Sequence, residues 1–254
     1  MFIKTAIASI LMGCMCMTAM AFEGAFITHS IEGKSYVDKN GELRGLEHMG
    51  RRAFQLELVR ELMINLNYSP REYQVFPFKR ALFMLKSNQK PYVLLSISRT
   101  DEREQYGKWV GPLTKDTSYL YELKSAPTGI NNLEDAKSLP LCILSGGFMD
   151  TVEINRDFTK LHRSDFNSCF RMLLVKRMSL VQASKNDLVG ILNSENINPE
   201  LIRNTGIAIK ESSNYMAFSH QISDKEVQRW QTALEQLKNS KRYEFLYGLY
   251  FKPL

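Results

Sequence analysis

The sequence predicts an α/β protein built in two halves, and three observations carry that expectation. Short apolar runs alternate with amphipathic stretches between residues 25 and 98. The same alternation begins again after residue 127. The chain then closes on two helical stretches. Strands that alternate with helices in this way pair mostly in parallel, because each crossover returns the chain to the same edge.

Residues 25–31 (AFITHSI) form the first strand candidate. Residues 36–45 (YVDKNGELRG) carry the Asn-Gly pair of a tight hairpin turn. In residues 53–67 (AFQLELVRELMINLN), Phe54, Leu58 and Leu62 share a helical stripe flanked by Val59 and Ile64. Residues 72–78 (EYQVFPF) read as a strand that Pro77 stops. A helix over 79–89 and a buried strand over 91–98 (PYVLLSIS) complete the first series.

The second series starts with a short helix over 132–139 (NLEDAKSL) and a strand over 140–146 that ends in Gly146-Gly147. A helix at 165–177, a strand at 179–184 and a helix at 185–196 follow. Two further strands are expected at 205–212 and 214–220. The last long helix, 223–240, opens with Ser223 as N-cap and Glu226 three residues on, a capping box. A short helix over 242–251 ends the chain. The two series join near residues 113–127.

The N-terminus reads as an export signal. Lys4 precedes an uncharged apolar run, and Ala19-Met20-Ala21 supplies small residues at a cleavage position. A second reading is a lipoprotein signal on Leu11-Met12-Gly13-Cys14. Cleavage at Ala21 would remove Cys14 and Cys16, leaving Cys142 and Cys169 as an even pair in an oxidising compartment. They read either as a disulfide or as two separate buried thiols.

The net charge of +6 is modest, and Lys and Arg are scattered among acids. This gives no footprint for nucleic acid. The four histidines, His29, His48, His162 and His220, lack ligand spacing, so no metal is expected. No nucleophile elbow, Walker loop or dinucleotide-binding glycine pattern occurs, and no cofactor is expected.

One stretch does suggest chemistry. In 96-SISRTDERE-104, Asp101 and Glu102 suit the positive end of a helix and Arg103 does not. A guanidinium there can reach for an anion in two parallel bonds, or it can pair with Asp101 or Glu102 on a solvated surface. Ser96 and Ser98 lie two apart on the strand, which puts both hydroxyls on one face. Ser98 or Thr100 can cap the turn that follows. Gly146-Gly147 offers backbone N–H groups to an anion, or simply makes a tight turn.

The order of motifs is similar to that of the family-three solute-binding proteins of bacterial amino-acid import. The matching pieces are Tyr36, Asp38, Gly41, Leu43 and Gly45, then residues 76–81 (FPFKRA), 96–103 (SISRTDER) and 109–112 (WVGP). The end matches too, from Tyr215 through Trp230 to Leu237. The resemblance implies a two-lobed, type II periplasmic binding fold with its ligand cleft between the lobes. Lobe 1 would comprise 22–112 and about 213–254, and lobe 2 would comprise 113–212, behind a signal peptide at 1–21. It implies a monomer in the periplasm that binds a small carboxylate-bearing solute without catalysis. An inner-membrane ABC permease or a sensor protein would be its partner.

By the same resemblance Arg103 grips the ligand carboxylate, Ser96 and Ser98 assist, and Phe78 packs against the ligand. Gly146 and Gly147 would supply the second-lobe donors. The acid that holds an amino acid's ammonium falls at Ser184, where no carboxylate stands; Asp187 is three residues on. Two alternatives remain open. One is an enzyme on the same fold, cyclohexadienyl-dehydratase-like, with Glu47 or Asp187 as acid or base; the other is an interaction protein that binds nothing small.

Overall fold

A computed structural model describes residues 22, 24–70, 73–145 and 158–251. Its main sheet has eight strands in the order β4-β1-β5-β10-β6-β9-β7-β8. On one side, β1 (Ala25–Thr28) pairs in parallel with β4 (Tyr73–Val75) and β5 (Tyr92–Ser98). On the other, β7 (Leu141–Leu144) pairs in parallel with β8 (Lys160–Arg163) and β9 (Leu180–Ser184). Two long antiparallel strands, β6 (Lys108–Leu123) and β10 (Ile202–Phe218), run between them and belong to both.

That single β10 corrects the expectation of two strands at 205–212 and 214–220. The serines at 212 and 213 read as a break, yet their backbone stays in register with Asp116 and Lys115. Pairing with β6 outweighs the weak strand preference of serine. The 132–139 stretch is also not a helix but a run of turns. Asp135 accepts from the N–H groups of Asn131 and Asn132, and Asn132 accepts from that of Asp135. These local side-chain bonds compete with a helical ladder. Strand β8 was not anticipated.

The hairpin of β2 (Ser35–Val37) and β3 (Leu43–Gly45) has a longer loop than its Asn-Gly suggests. Asp38 N–H donates to Glu42 O at 2.9 Å, leaving three residues between, with Gly41 at φ +79°. Only the glycine is left-handed, as in a three-residue loop closed by a bulge.

Helix α1 (Gly50–Asn65) begins three residues before the apolar stripe and is buried on nearly every side. It lies among α4 (Lys185–Ser194), α5 (Asp224–Lys238) and α6 (Lys241–Phe251). Ile64 falls outside the core, 42% exposed. Helix α2 (Phe78–Ser87) covers β5, and α3 (Phe166–Leu174) covers β7 and β9.

The first half packs Phe22, Phe26, Tyr68, Phe218 and Trp230 into one aromatic core. Ser223 caps α5 as expected, accepting from Glu226 N–H at 3.2 Å. The Glu226 carboxylate instead turns inward, accepting from Tyr68 Oη at 2.6 Å and Trp230 Nε1 at 2.9 Å. It thereby satisfies the polar tip of the buried indole. The second half has its own smaller core, in which Cys142 and Cys169 are joined by a disulfide with Cα atoms 5.4 Å apart. No helix among the described residues is long and apolar enough to cross a membrane.

Candidate functional site

The C-terminal ends of the parallel strands in the two halves face each other, and a cavity lies between them. In sheets of this kind ligands bind outside the carboxyl ends of the strands. His29 follows β1, Ser96 and Ser98 end β5, Leu144 ends β7 and Ser184 ends β9; all five line the cavity. Phe78, at the start of α2, and Arg103 join the first-half wall. The space is about 500 Å³, counting its open mouth. Five of the seven residues singled out in the sequence thus come together: Arg103, Ser98, Ser96, Phe78 and Ser184. Gly146 and Gly147 lie outside the described residues.

Arg103 sits in a single 3₁₀ stretch, Asp101–Tyr106, and is 1% exposed. This rules out the solvated surface pair. Its Nη1 donates to Ser98 O at 3.0 Å, and its guanidinium carbon lies 5.5 Å from the Phe78 ring centre. Burial draws its pKa down, with the Glu102 charge acting the other way. Thr100 occupies the N-cap position without a side-chain cap bond. The fork is held by a carbonyl and an aromatic face, and faces the cavity with its charge retained.

Ser96 departs from strand geometry. Its φ is +65°, and β5 places Leu95 and Ser96 opposite the single residue Met216. This bulge inverts the alternation: Leu94 and Ile97, three apart, pack into the same core cluster. The two-residue spacing of Ser96 and Ser98 therefore does not set a shared face, although both reach the cavity. An extra residue re-aims a strand end next to a site. Here it turns the Ser96 carbonyl toward Arg52, which donates to it at 3.3 Å. Ser96 Oγ is buried and makes no hydrogen bond.

Sequence reasoning misses Arg51, Arg52 and His29 as cavity residues and offers Asp187 only as an acid beyond Ser184 or as an acid or base of the enzyme alternative. Arg51, Arg52, His29 and Asp187 line the same cavity, each at most 5% exposed. Arg51 and Arg52 open α1, whose first turn holds no acid. This is the same kind of misplaced-cation signal as at Arg103, hidden in the sequence because the apolar stripe that marks the helix begins only after both arginines. Arg51 Nε donates to Asp187 Oδ1 at 3.0 Å, and its Nη2 reaches Oδ2. Arg52 Nε approaches Asp187 Oδ1 only to 3.9 Å and makes no hydrogen bond.

His29 Nε2 lies 3.0 Å from Arg52 Nη1 and 3.3 Å from Ser96 O, and its Nδ1 lies 3.1 Å from Ser30 Oγ. Burial, and next the charge of Arg52, hold the His29 pKa well below the usual imidazole value. Burial and the Arg51 charge push Arg52 down to about 9, still charged at neutral pH. For Asp187 burial acts upward, but Arg51 and Arg52 outweigh it and keep the carboxylate ionised. Ser184 caps α4, accepting from Asp187 N–H at 3.1 Å, so its hydroxyl oxygen serves the helix.

Several of these contacts cross from one half to the other. Besides Arg51–Asp187, Lys34 donates to Asn167 Oδ1 at 2.8 Å and Asn193 Nδ2 to His48 O at 2.7 Å. A Cβ built on Gly190 would lie 2.0 Å from Met49 O, so α1 and α4 meet backbone to backbone. Glu47 lines a separate groove with Tyr36 and Arg242 and takes no part in the cavity. Among the described residues no group of three His, Cys, Asp or Glu could hold a metal ion.

No protein-family profile matches the chain, and no curated protein sequence matches it. Solved structures do. An amino acid ABC transporter substrate-binding protein, AbpA of Streptococcus pneumoniae, bound to L-arginine, superposes with a TM-score of 0.71 at 14% identity. The match covers 89% of this chain and 93% of that one. The chain has the two-lobed periplasmic binding fold. An ancestral arginine-binding protein bound to arginine gives 0.70 at 16% identity, over 91% of this chain and 99% of that one. A histidine kinase sensor domain with similarity to periplasmic binding proteins gives 0.71 at 16% identity, over 90% and 98%. In this fold the two halves are lobes, β6 and β10 are the connections between them, and the cavity is the interlobe cleft.

Proposed function

We infer that this protein binds a small carboxylate-bearing solute in the interlobe cleft, outside the cytoplasm, and hands the signal or the solute to a membrane partner. One observation carries the reading: a guanidinium that is 1% exposed, braced by Ser98 O and the Phe78 ring, lines the cavity where the strand ends of both lobes meet. Such a fork matches a carboxylate in two parallel bonds, and a low-dielectric wall strengthens them.

The assignment of roles follows. Arg103 takes the carboxylate, Ser96 and Ser98 add hydrogen bonds and Phe78 packs against the ligand, with Gly146 and Gly147 as second-lobe donors. Lobe 1 is 22–112 with 213–254, lobe 2 is 113–212, and residues 1–21 are a cleaved export signal. The protein acts as a monomer, with an ABC permease or a sensor protein as partner. Both fates are in keeping with the folds it resembles, an importer's binding protein and a kinase sensor domain.

Binding rather than turnover is favoured by the state of the acids. Both Asp187 oxygens are taken by Arg51, and Glu47 faces another groove, so neither is placed as a general acid or base in the cleft. The test is a thermal-shift panel of amino acids, organic acids and polyamines on the purified protein and on Arg103→Ala. A ligand at a hundred times its dissociation constant should add about 2.7 kcal/mol to stability. That gain should vanish in Arg103→Ala. A hit that survives the substitution would remove Arg103 from the site, and turnover of the hit would replace binding with catalysis.

A further inference from the structure

The cleft carries more positive charge than one carboxylate needs. Three guanidiniums, Arg51, Arg52 and Arg103, line it against a single carboxylate, Asp187, among the described residues. Behind this lining, buried Lys34 adds one cation and Asp116 one acid, and Glu32 and Asp165 line an adjoining pocket that Arg52 and Asp187 share. None of these four is on the cavity wall. Arg51 already satisfies both oxygens of Asp187. An ammonium placed beside Asp187 would therefore meet two guanidiniums rather than an open acid, an unfavourable like-charge contact in a site with little water.

Arg52 is placed differently. It is 5% exposed, and its Nε has no hydrogen-bond partner. Its Nη1 rests on Ser96 O, and Arg103 Nη1 rests on Ser98 O. Carbonyls two residues apart are separated by at most about 7 Å. The two guanidiniums therefore flank one end of β5, where Ser96 Oγ is buried and makes no hydrogen bond.

We propose that the cleft takes a short-chain dicarboxylate without an ammonium group, one carboxylate on Arg103 and the other on Arg52. This deepens the reading above and rests on it, because Arg103 keeps its role. The two carboxylates neutralise the excess of two positive charges, and Ser96 Oγ donates to one of them. The arginine-bound structures that this chain resembles hold a cationic side chain. Three buried arginines leave no place for one here.

Calorimetric titration of the purified protein decides the matter without any substitution. Succinate and malate should bind at least roughly thirtyfold more tightly than butyrate, which lacks the second carboxylate, and than aspartate, which adds an ammonium. Arg52→Gln should then weaken succinate by at least roughly tenfold and move butyrate by less than about threefold. Arg103→Gln should weaken both. Arg52→Lys, which keeps the charge, should recover part of the loss and shows that the protein is folded.

If aspartate, glutamate or arginine binds as well as succinate and still depends on Arg103, the dicarboxylate assignment is wrong and the carboxylate cleft stands. Sulfate binding as tightly as succinate would point to a compact oxyanion and overturn the diacid. If no compound binds, or binding ignores Arg103→Gln, the cleft reading fails and this proposal with it.

Discussion

Arg44–Glu57 and Arg51–Asp187 are both two-pronged pairs whose carboxylates solvent barely reaches, with side-chain exposures of 3% and 4%. The first lies within one lobe. Glu57 Oε1 accepts from Arg44 Nε at 2.7 Å and Gly45 N–H at 2.9 Å, and Oε2 accepts from Arg44 Nη2 at 2.8 Å, which ties the hairpin to α1. The second joins α1 to α4 across the cleft. The two carboxylates are alike in burial, while Arg44 is 25% exposed and Arg51 6%, and only the second pair joins two lobes that can separate without either one unfolding. Position within the fold, rather than pair strength, decides whether losing it costs stability or closure.

The largest expected effect tests that contrast. Removing one partner of a buried pair costs about 3–5 kcal/mol while the other stays buried. In Glu57→Gln the remaining Arg44 is a quarter exposed and keeps Asp38 at 3.4 Å, so the cost falls at the low end, about 3 kcal/mol. The melting temperature should then fall by roughly 6–12 °C with the radius of gyration unchanged. In Asp187→Asn, Arg51 and Arg52 can be rehydrated by opening the lobes. Small-angle scattering should then show an expanded particle, with a smaller fall in melting temperature than for Glu57→Gln. Equal falls in melting temperature with no expansion would mean that the pair across the cleft is structural like the other.

How far this contrast could be foreseen depends on what each residue's signal rests on. The two α/β series and the closing helices follow from periodicity, a local property, and most of their elements appear as expected. Exceptions in the second series are the expected 132–139 helix, which is a run of turns, and the unexpected β8. Arg103 is legible because a cation read into a helix's first turn conflicts with the helix dipole, although the segment is a six-residue 3₁₀ stretch with Arg103 in its last turn. Arg51 and Arg52 break the same rule in α1, but their signal needs the helix start at Gly50, and the apolar stripe begins later. The bulge at Ser96 exists only in relation to Met216 on β10, so no reading of β5 alone could find it. The continuity of β10 likewise belongs to its partner β6. Long-range pairing fixed what local pattern left open.

A second, smaller effect isolates closure from charge. Gly190 sits where a Cβ would lie 2.0 Å from the backbone oxygen of Met49, on the opposite side of the cleft. Backbone cannot rotate away as a side-chain tip can. Gly190→Ala should hold α1 and α4 apart while leaving each lobe's own core intact, since alanine is the better helix former. The apparent affinity for a cleft ligand should fall in proportion to the lost closed population, on the order of tenfold or more. Scattering should report the open form without any change in net charge. If the particle stays compact and affinity is kept, the contact between α1 and α4 is not what sets closure.

The smallest effect separates the charged wall of the cleft from the rest of the protein by pH. His29 is neutral in the fold because burial and the charges of Arg52, Arg51 and Arg103 disfavour its cation. Unfolded, it binds a proton near pH 6.5. Below that value the unfolded chain holds the extra proton, so stability falls as pH falls, by up to about 1.4 kcal/mol per unit, until the depressed folded value is reached. Above pH 6.5 the contribution is complete. Asp116, raised by burial, has the opposite sign, so its contribution is lost as pH rises. Urea titrations between pH 7.5 and 5 should therefore show a decline that His29→Gln flattens. A variant with the same slope would place the proton uptake elsewhere and return His29 to an ordinary ring packed 4.4 Å from Phe78.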